Sequence, residues 1–255
     1  MNRLSKTDRN SLGLPIGFAV PDWKQALAPP SAPMLGVWCR LEPIDSQQQG
    51  DALFEVVSED TEKRIWIYLP YWPFENAATL ARWIEKSCLG SDPLFHAIVD
   101  QSSDKALGVA SYLRVNSAIG VIEVGHINYA PVLQKTPAGT EAMYLMMRRI
   151  FEELGYRRYE WKCDALHSAS RQAAERLGMT FEGIFRQATM YKNRNRDTAW
   201  FSILDHEWPR MKVAFEAWLK PENFTVNGKQ IKRLSDRSEE RRVGKECRSR
   251  WSPYH

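Results

Sequence analysis

The chain has 255 residues, of which 44% are hydrophobic and 26% charged, and a formal net charge of +4. This composition fits a globular protein long enough to build a sizeable core. No apolar run approaches the roughly 18 residues of a membrane span, and the opening MNRLSKTDRNSLGLPIGF lacks the apolar centre of a signal peptide. The run RSEERRVGKECRSRWSPYH (237–255) has no apolar periodicity and resembles an in-frame translation of a sequencing-library adapter. Arg237, Arg241, Arg242, Lys245, Arg248 and Arg250 against Glu239, Glu240 and Glu246 give it +3, which leaves +1 for the rest of the chain. Charge therefore gives no reason to expect nucleic-acid or membrane partners.

Residues 1–35 read as an extension, because Pro15, Pro21, Pro29, Pro30 and Pro33 interrupt any regular element. A strand is predicted at 37–41 (VWCRL) and a helix over 48–60, with Leu53, Val56 and Val57 on one face. A second helix fits 75–89, with Leu80, Trp83, Ile84 and Leu89 at helical spacing. A meander of strands follows at 94–100, 106–115 and 120–130, with Ser/Gly/Asp turns between them. Helix 137–154 aligns Met143, Met146, Met147, Ile150 and Leu154, and Gly155 stands where a C′ residue belongs. Strand 156–164, helix 168–177 closed by Gly178, strands 180–191 and 198–204 joined by a turn at 193–195, and helix 209–219 complete the order. Antiparallel strands followed by strand–helix–strand–helix–strand mean an α+β fold with a mixed sheet. The division is an extension to 35, a domain over 36–208, a C-terminal helix within 209–222 and a tail over 223–236.

The turn QKTPAG (134–139) opens a helix directly after a strand, which leaves backbone N–H groups free to meet an anion. Thr136 suits the N-cap and Pro137 suits N1, so the amides of Ala138, Gly139 and Thr140 are expected to stay free, with Lys135 adding charge. On the strand before it, Glu123 lies among Val121, Ile122 and Val124, surroundings that raise a carboxyl pKa, while His126 titrates near neutrality unaided. Plain alternation puts these two on opposite faces unless a bulge intervenes. Cys39, Cys88 and Cys163 are far apart and show no metal-ligand spacing, so they read as reduced thiols of a cytoplasmic protein that binds no metal, and Cys163 as a core thiol rather than a nucleophile.

The block EVGHINYAPVLQKTPAGTEAMYLMMRRIFEELGYRRYEWKCDALHSASRQAAERLGMTFEGIFR (123–186) resembles the cofactor-binding half of the GCN5-related N-acetyltransferases (GNAT), most nearly the branch of the ribosomal-protein N-acetyltransferases. The resemblance implies a mostly antiparallel central sheet of about seven strands flanked by helices and splayed between its two central strands. It implies acetyl-CoA as co-substrate and a primary amine, on a peptide or a small molecule, as acceptor. The pantetheine arm would lie in the splay against backbone groups of Ile127, Asn128 and Tyr129. Gln134 and Gly139 match the ends of the family's phosphate-turn pattern, Arg/Gln-x-x-Gly-x-Gly/Ala, and Pro137 replaces its middle glycine. His167, where relatives carry Asn, and Ser170 would touch the coenzyme.

Glu123 is then the candidate general base and His126 the alternative, and no tyrosine stands where many relatives hold the general acid. The aromatic run 64–78 would border the acceptor groove with Trp66, Tyr68, Tyr71 and Trp72, or pack as core. Arg186, Lys192, Arg194, Arg196 and Asp197 form a polar connection between the last strands that suits an acidic acceptor or a plain turn. A second reading keeps the fold but makes the chain a non-catalytic acetyl-CoA-binding module. Exposed methionine and aromatic residues are compatible with a homodimer.

Overall fold

The computed structural model describes residues 7–226 and 228–234; the predicted adapter-like run 237–255 lies outside them. An eight-stranded sheet organises the chain. Its strands are β3 (Met34–Leu35), β4 (Cys39–Pro43), β5 (Leu94–Asp100), β6 (Ala106–Asn116), β7 (Val121–Tyr129), β8 (Arg158–Asp164), β9 (Thr180–Tyr191) and β10 (Arg194–Leu204), in spatial order β3-β4-β5-β6-β7-β8-β10-β9. Every neighbouring pair is antiparallel except β7 with β8. The sheet has one strand more than the resemblance implies, because Met34–Leu35 pairs with β4 at the edge. The extension is also more ordered than its prolines suggest: β1 (Thr7–Arg9) and β2 (Pro15–Gly17) form a separate hairpin, in which Pro15 opens an edge strand, a position that needs no ladder N–H.

Local signals fix the helices. Asp45 caps α1 (Ser46–Ser58) by accepting from the N–H groups of Gln47 and Gln48, and Asn76 forms a capping box with Thr79 at α2 (Ala77–Ser87). Thr136 caps α3 (Pro137–Arg148), whose last turn widens into a π-helical segment, Arg149–Glu153, before Gly155 ends it at φ +76°. Helices α4 (Ser168–Arg176) and α5 (Trp208–Leu219) complete the set. The turn between β9 and β10 falls at Lys192 and Asn193, both at positive φ, one residue earlier than predicted, as expected for a two-residue hairpin.

The two sheet faces are covered unequally. On one, α3 and α5 bury Ile122, Val124, Tyr159, Trp161, Ala199 and Phe201. On the other, Leu53, Leu80 and Ile84 of α1 and α2 pack on Phe95, Ala97, Val99, Ala106 and Val109, which belong to β5 and β6. Among the described residues no α-helix covers that second face over β7, β8, β10 and β9; a 3-10 turn at Arg64–Trp66 and the chain after it border it instead. This uncovered half is where the site lies.

The chain before β4 is clamped to α3. The buried Glu141 carboxylate accepts from the N–H groups of Val37 (2.9 Å), Trp38 (2.6 Å) and Cys39 (2.8 Å). Directly after α3, at its C-cap, Arg149 donates to the carbonyls of Ala32 and Pro33, both at 2.6 Å. These side chains satisfy backbone groups that would otherwise be buried unpaired. Glu141→Ala leaves three such N–H groups without an acceptor and is expected to lower unfolding stability by about 3 kcal/mol; urea denaturation reads the change, and a loss below about 1 kcal/mol would show that the clamp carries little.

Candidate active site

β7 and β8 pair only from Val121 with Arg158 to Val124 with Trp161. Beyond that, β7 runs on to Tyr129 and β8 to Asp164 with no ladder between them. On its other side β7 bulges: Gly125 faces Ser111 and Asn128 faces Val109, so His126 and Ile127 together oppose Ala110, and His126 takes a φ of +49°. The bulge cancels the alternation that would separate Glu123 from His126. Both line one cavity of about 530 Å³ in the gap, together with Arg114, Gly125, Ile127, Lys162, Asp164, His167, Ser170, Tyr191, Arg196 and Trp200.

Glu123 is buried, but its surroundings are not apolar, as its strand neighbours suggest. Arg114 Nη1 lies 2.7 Å from Oε1 and Lys162 Nζ 2.8 Å from Oε2. Lys162 also pairs with Glu160 (2.8 Å) and sits 3.8 Å above the Trp200 ring. Arg158 joins Glu160 to Glu182. The uncovered face thus carries three carboxylates alternating with three cations. Arg114 is the loosest member, with 63% of its side chain exposed. His126 differs in every respect: its ring packs against Tyr71 and Phe95, its Nδ1 is buried without a partner, and burial reinforced by Arg114 pushes its pKa down to about 4.

The expected coenzyme residues fall into two groups. Ile127, His167 and Ser170 line the cavity. His167 stacks on Tyr68 at 4.1 Å, and Ser170 Oγ accepts from Trp161 Nε1 at 3.0 Å. Asn128 is buried and faces a small void toward α1 and α2. Tyr129 serves the turn: its carbonyl accepts from Gln134 Nε2 (3.0 Å) and its hydroxyl donates to the Gly139 carbonyl (2.9 Å).

Two of the three amides expected to stay free are engaged. Gly139 N–H donates to Thr136 Oγ1 (3.1 Å), the N-cap hydroxyl bond, and Thr140 N–H donates to the Thr136 carbonyl (3.3 Å), which is the first intrahelical bond. Ala138, Gly139 and Thr140 are all buried, whereas Lys135, at φ +61°, is exposed. Gly139 is required by packing: a Cβ there would lie 2.8 Å from the Leu133 carbonyl and 3.1 Å from the Tyr129 ring.

Burial separates the four acceptor-groove aromatics. Trp66 belongs to the core, and Tyr71 packs among Trp66, Phe74, Trp83 and His126. Trp72 is 67% exposed beneath Lys192 Nζ. Tyr68 alone of the four lines the cavity.

A sequence model described as an acetyltransferase (GNAT) domain matches residues 39–180. The crystal structure of a GCN5-related N-acetyltransferase from Brucella melitensis superposes with a TM-score of 0.84 at 43% identity, covering 86% of this chain and 100% of that one. The chain belongs to the GNAT acetyltransferase family. A probable GNAT acetyltransferase from Chromobacterium violaceum superposes with a TM-score of 0.71 at 40% identity over 77% of this chain and 98% of its own. Microcin C7 self-immunity acetyltransferase MccE, solved with acetyl-CoA and AMP, shares the fold with a TM-score of 0.58 at 19% identity over 66% of this chain and 93% of its own. No curated protein matches the sequence.

For a GNAT site, the cavity groups that the sequence alone did not single out are Arg114, Lys162, Asp164, Tyr191 and Trp200, with Glu160 behind Lys162. Asp164 accepts from Leu166 N–H (2.8 Å) and from the Tyr191 hydroxyl (2.9 Å); burial and that carboxylate push Tyr191 up to about 12. Cys39, Cys88 and Cys163 are free and buried, and burial raises the Cys163 thiol away from nucleophilic use. Among the described residues no group of three or more His, Cys, Asp and Glu could hold a metal ion, and no helix is long and apolar enough to cross a membrane.

Acid should destabilise the fold through two histidines. Burial, with Arg114 for His126 and Arg149 for His96, lowers both to about 4 from an ordinary 6.5. The unfolded chain then protonates first, so stability is full above pH 6.5 and falls as pH drops toward 4, by on the order of 1.4 kcal/mol per pH unit for each group. Urea unfolding at pH 7, 5.5 and 4.5 should show this decline, with a shallower one in His96→Leu; parallel declines in the two proteins would exclude His96 as a cause.

Proposed function

We propose that this GNAT protein transfers an acetyl group from acetyl-CoA to a primary amine by direct attack on the thioester, with no acyl-enzyme intermediate. The observation that carries this reading is the parting of β7 and β8 beside the bulge, which opens one cavity containing both a buried carboxylate and a neutral imidazole. The edges of Gly125–Tyr129 and Lys162–Asp164 that face each other across the gap are not laddered together, and they suit the amides of a pantetheine arm. Backbone N–H groups at the bulge suit the oxyanion that forms as the thioester carbonyl is attacked.

Glu123 takes the proton from the incoming ammonium in this reading. Its site already holds cations, and the exposed Arg114 is the partner that an ammonium can displace from Oε1. The freed amine forms the C–N bond, the C–S bond breaks, and the proton then shed by the new amide nitrogen ends on the departing thiolate, so coenzyme A leaves as its thiol. His126 is the rival base because its Nδ1 is unpartnered, although its ring is packed against Tyr71 and Phe95 rather than held beside cations as the Glu123 carboxylate is.

Thiol release from acetyl-CoA, followed with a panel of peptide and small-molecule amines, tests the reading. Glu123→Gln should lower turnover by about two to four powers of ten, while His126→Gln should change it far less. The reverse pattern transfers the role to His126. Acetyl-CoA binding without thiol release toward any amine would instead favour the non-catalytic binding module.

A further inference from the structure

One cation in the cavity has no counter-charge. Arg114 and Lys162 are paired with Glu123 and Glu160. Arg196, at the start of β10, lines the same cavity, yet no carboxylate among the described residues comes within ion-pairing distance of it, and its Nε is buried without a hydrogen-bond partner. The Tyr191 ring, 5.9 Å from its guanidinium carbon, offers only a cation–π contact. The acids nearest in sequence and space are committed elsewhere: Asp197 accepts from Gln187 N–H and Asn195 Nδ2, and Asp164 from Leu166 N–H and the Tyr191 hydroxyl.

Four residues further along the same face of β10, Trp200 also lines the cavity, and its Nε1 is likewise buried without an acceptor. Uncommitted donors that are drawn out of water cost free energy until an acceptor arrives, and a guanidinium asks for an anion.

The position of Arg196 in the sheet sets the length of that partner. Glu123 stands opposite Glu160, and Glu160 opposite Ser202. Arg196 is six residues from Ser202 along β10, roughly 20 Å of strand, and Glu123 lies two strands over; with the lengths of the two side chains allowed for, an amine at Glu123 and an anion at Arg196 stand on the order of 10 to 15 Å apart. The turn 134–140, to which the family assigns the coenzyme phosphates, follows β7 rather than β10.

We propose that Arg196, with Trp200 Nε1 beside it, binds a carboxylate or phosphate of the acceptor, so that the preferred acceptors are extended primary amines bearing a negative charge remote from the reacting nitrogen. This rests on the acetyl-transfer reading above.

The test uses the full chain and C-terminally amidated tripeptides that differ only at the third residue: aspartate, phosphoserine, asparagine, serine or lysine. The acidic peptides should be acetylated with kcat/KM at least about tenfold above their neutral counterparts, the gain expected of one charge-assisted hydrogen-bonded contact. The aspartate and phosphoserine arms distinguish a carboxylate from a phosphate. Arg196→Ala should erase the preference through KM, Arg196→Lys should keep part of it, and Arg196→Glu should turn it toward lysine, all with unchanged acetyl-CoA affinity and unfolding midpoint.

Equal rates for acidic and neutral peptides, or a loss of acetyl-CoA affinity in Arg196→Ala, would overturn the assignment; the second result would give Arg196 to the donor instead. Arg196→Glu guards against a fold defect, since a gain with the lysine peptide cannot come from misfolding. Absence of thiol release with every amine sinks the acetyl-transfer reading itself, a different failure from release without charge preference.

Discussion

Two parallel strands that pair for four residues and then part are the constraint on which the rest of this structure depends. While β7 and β8 run together they are ordinary sheet, with Ile122, Val124, Tyr159 and Trp161 anchored on α3. Past Val124 the extra residue in β7 bends the strand away from β8, since a bulge kinks the strand that carries it. Backbone N–H and C=O groups along both sides of the gap then lack a ladder, and they need a partner from outside the chain. The bulge also re-aims His126 into the gap beside Glu123, so one local irregularity both opens the cavity and brings these two titratable side chains together. A regular strand with the same residues would have left them on opposite faces.

The open half of the sheet could not be built from apolar side chains, because among the described residues no α-helix lies over it. The chain places alternating charges there instead, with Glu123, Glu160 and Glu182 interleaved by Arg114, Lys162 and Arg158 across β6 to β9. Such pairs are weak evidence for stability, since desolvation offsets much of their attraction, but removing one member strands its neighbours. Their effect is positional. Lys162, held by two carboxylates and the face of Trp200, fixes the Glu123 carboxylate at the rim of the gap, while the more exposed Arg114 leaves one oxygen exchangeable. Tyr68, stacked on His167 and reaching the Leu166 carbonyl, ties the segment between α1 and α2 to the start of α4 across the same cavity.

On the opposite face a helix meets irregular chain. α3 is buried on nearly all sides, which its run of Met, Leu, Ala and Tyr allows, but two charged side chains emerge from it into segments with no ladder of their own. Glu141 gathers three amides ahead of β4 and Arg149 takes two carbonyls of the preceding arm. Each satisfies polar backbone where no strand could, and together they hold the edge of the sheet against the helix that carries the turn.

Local chemistry was enough to read the elements. Thr136 declares a helix start, Gly155 and Gly178 helix ends, and the spacing of Met143, Met146, Met147 and Ile150 names the buried face, because capping and periodicity depend on residues within one or two turns; the caps Asp45 and Asn76 were equally local signals, but only the structure drew them out. The residue types of the family's cofactor half were equally plain, and with them the fold and the acetyl-transfer chemistry. Other facts needed the tertiary structure. The bulge at His126 contains neither glycine nor proline, and it exists only through pairing with β6. Trp66, Tyr68, Tyr71 and Trp72 look alike in sequence, and packing sends one to the core, one to the cavity, one against His126 and one to the surface. Arg114, Lys162, Arg196 and Trp200 lie on three strands far apart in the chain. Their meeting in one cavity depends on sheet order and register, which no local pattern encodes.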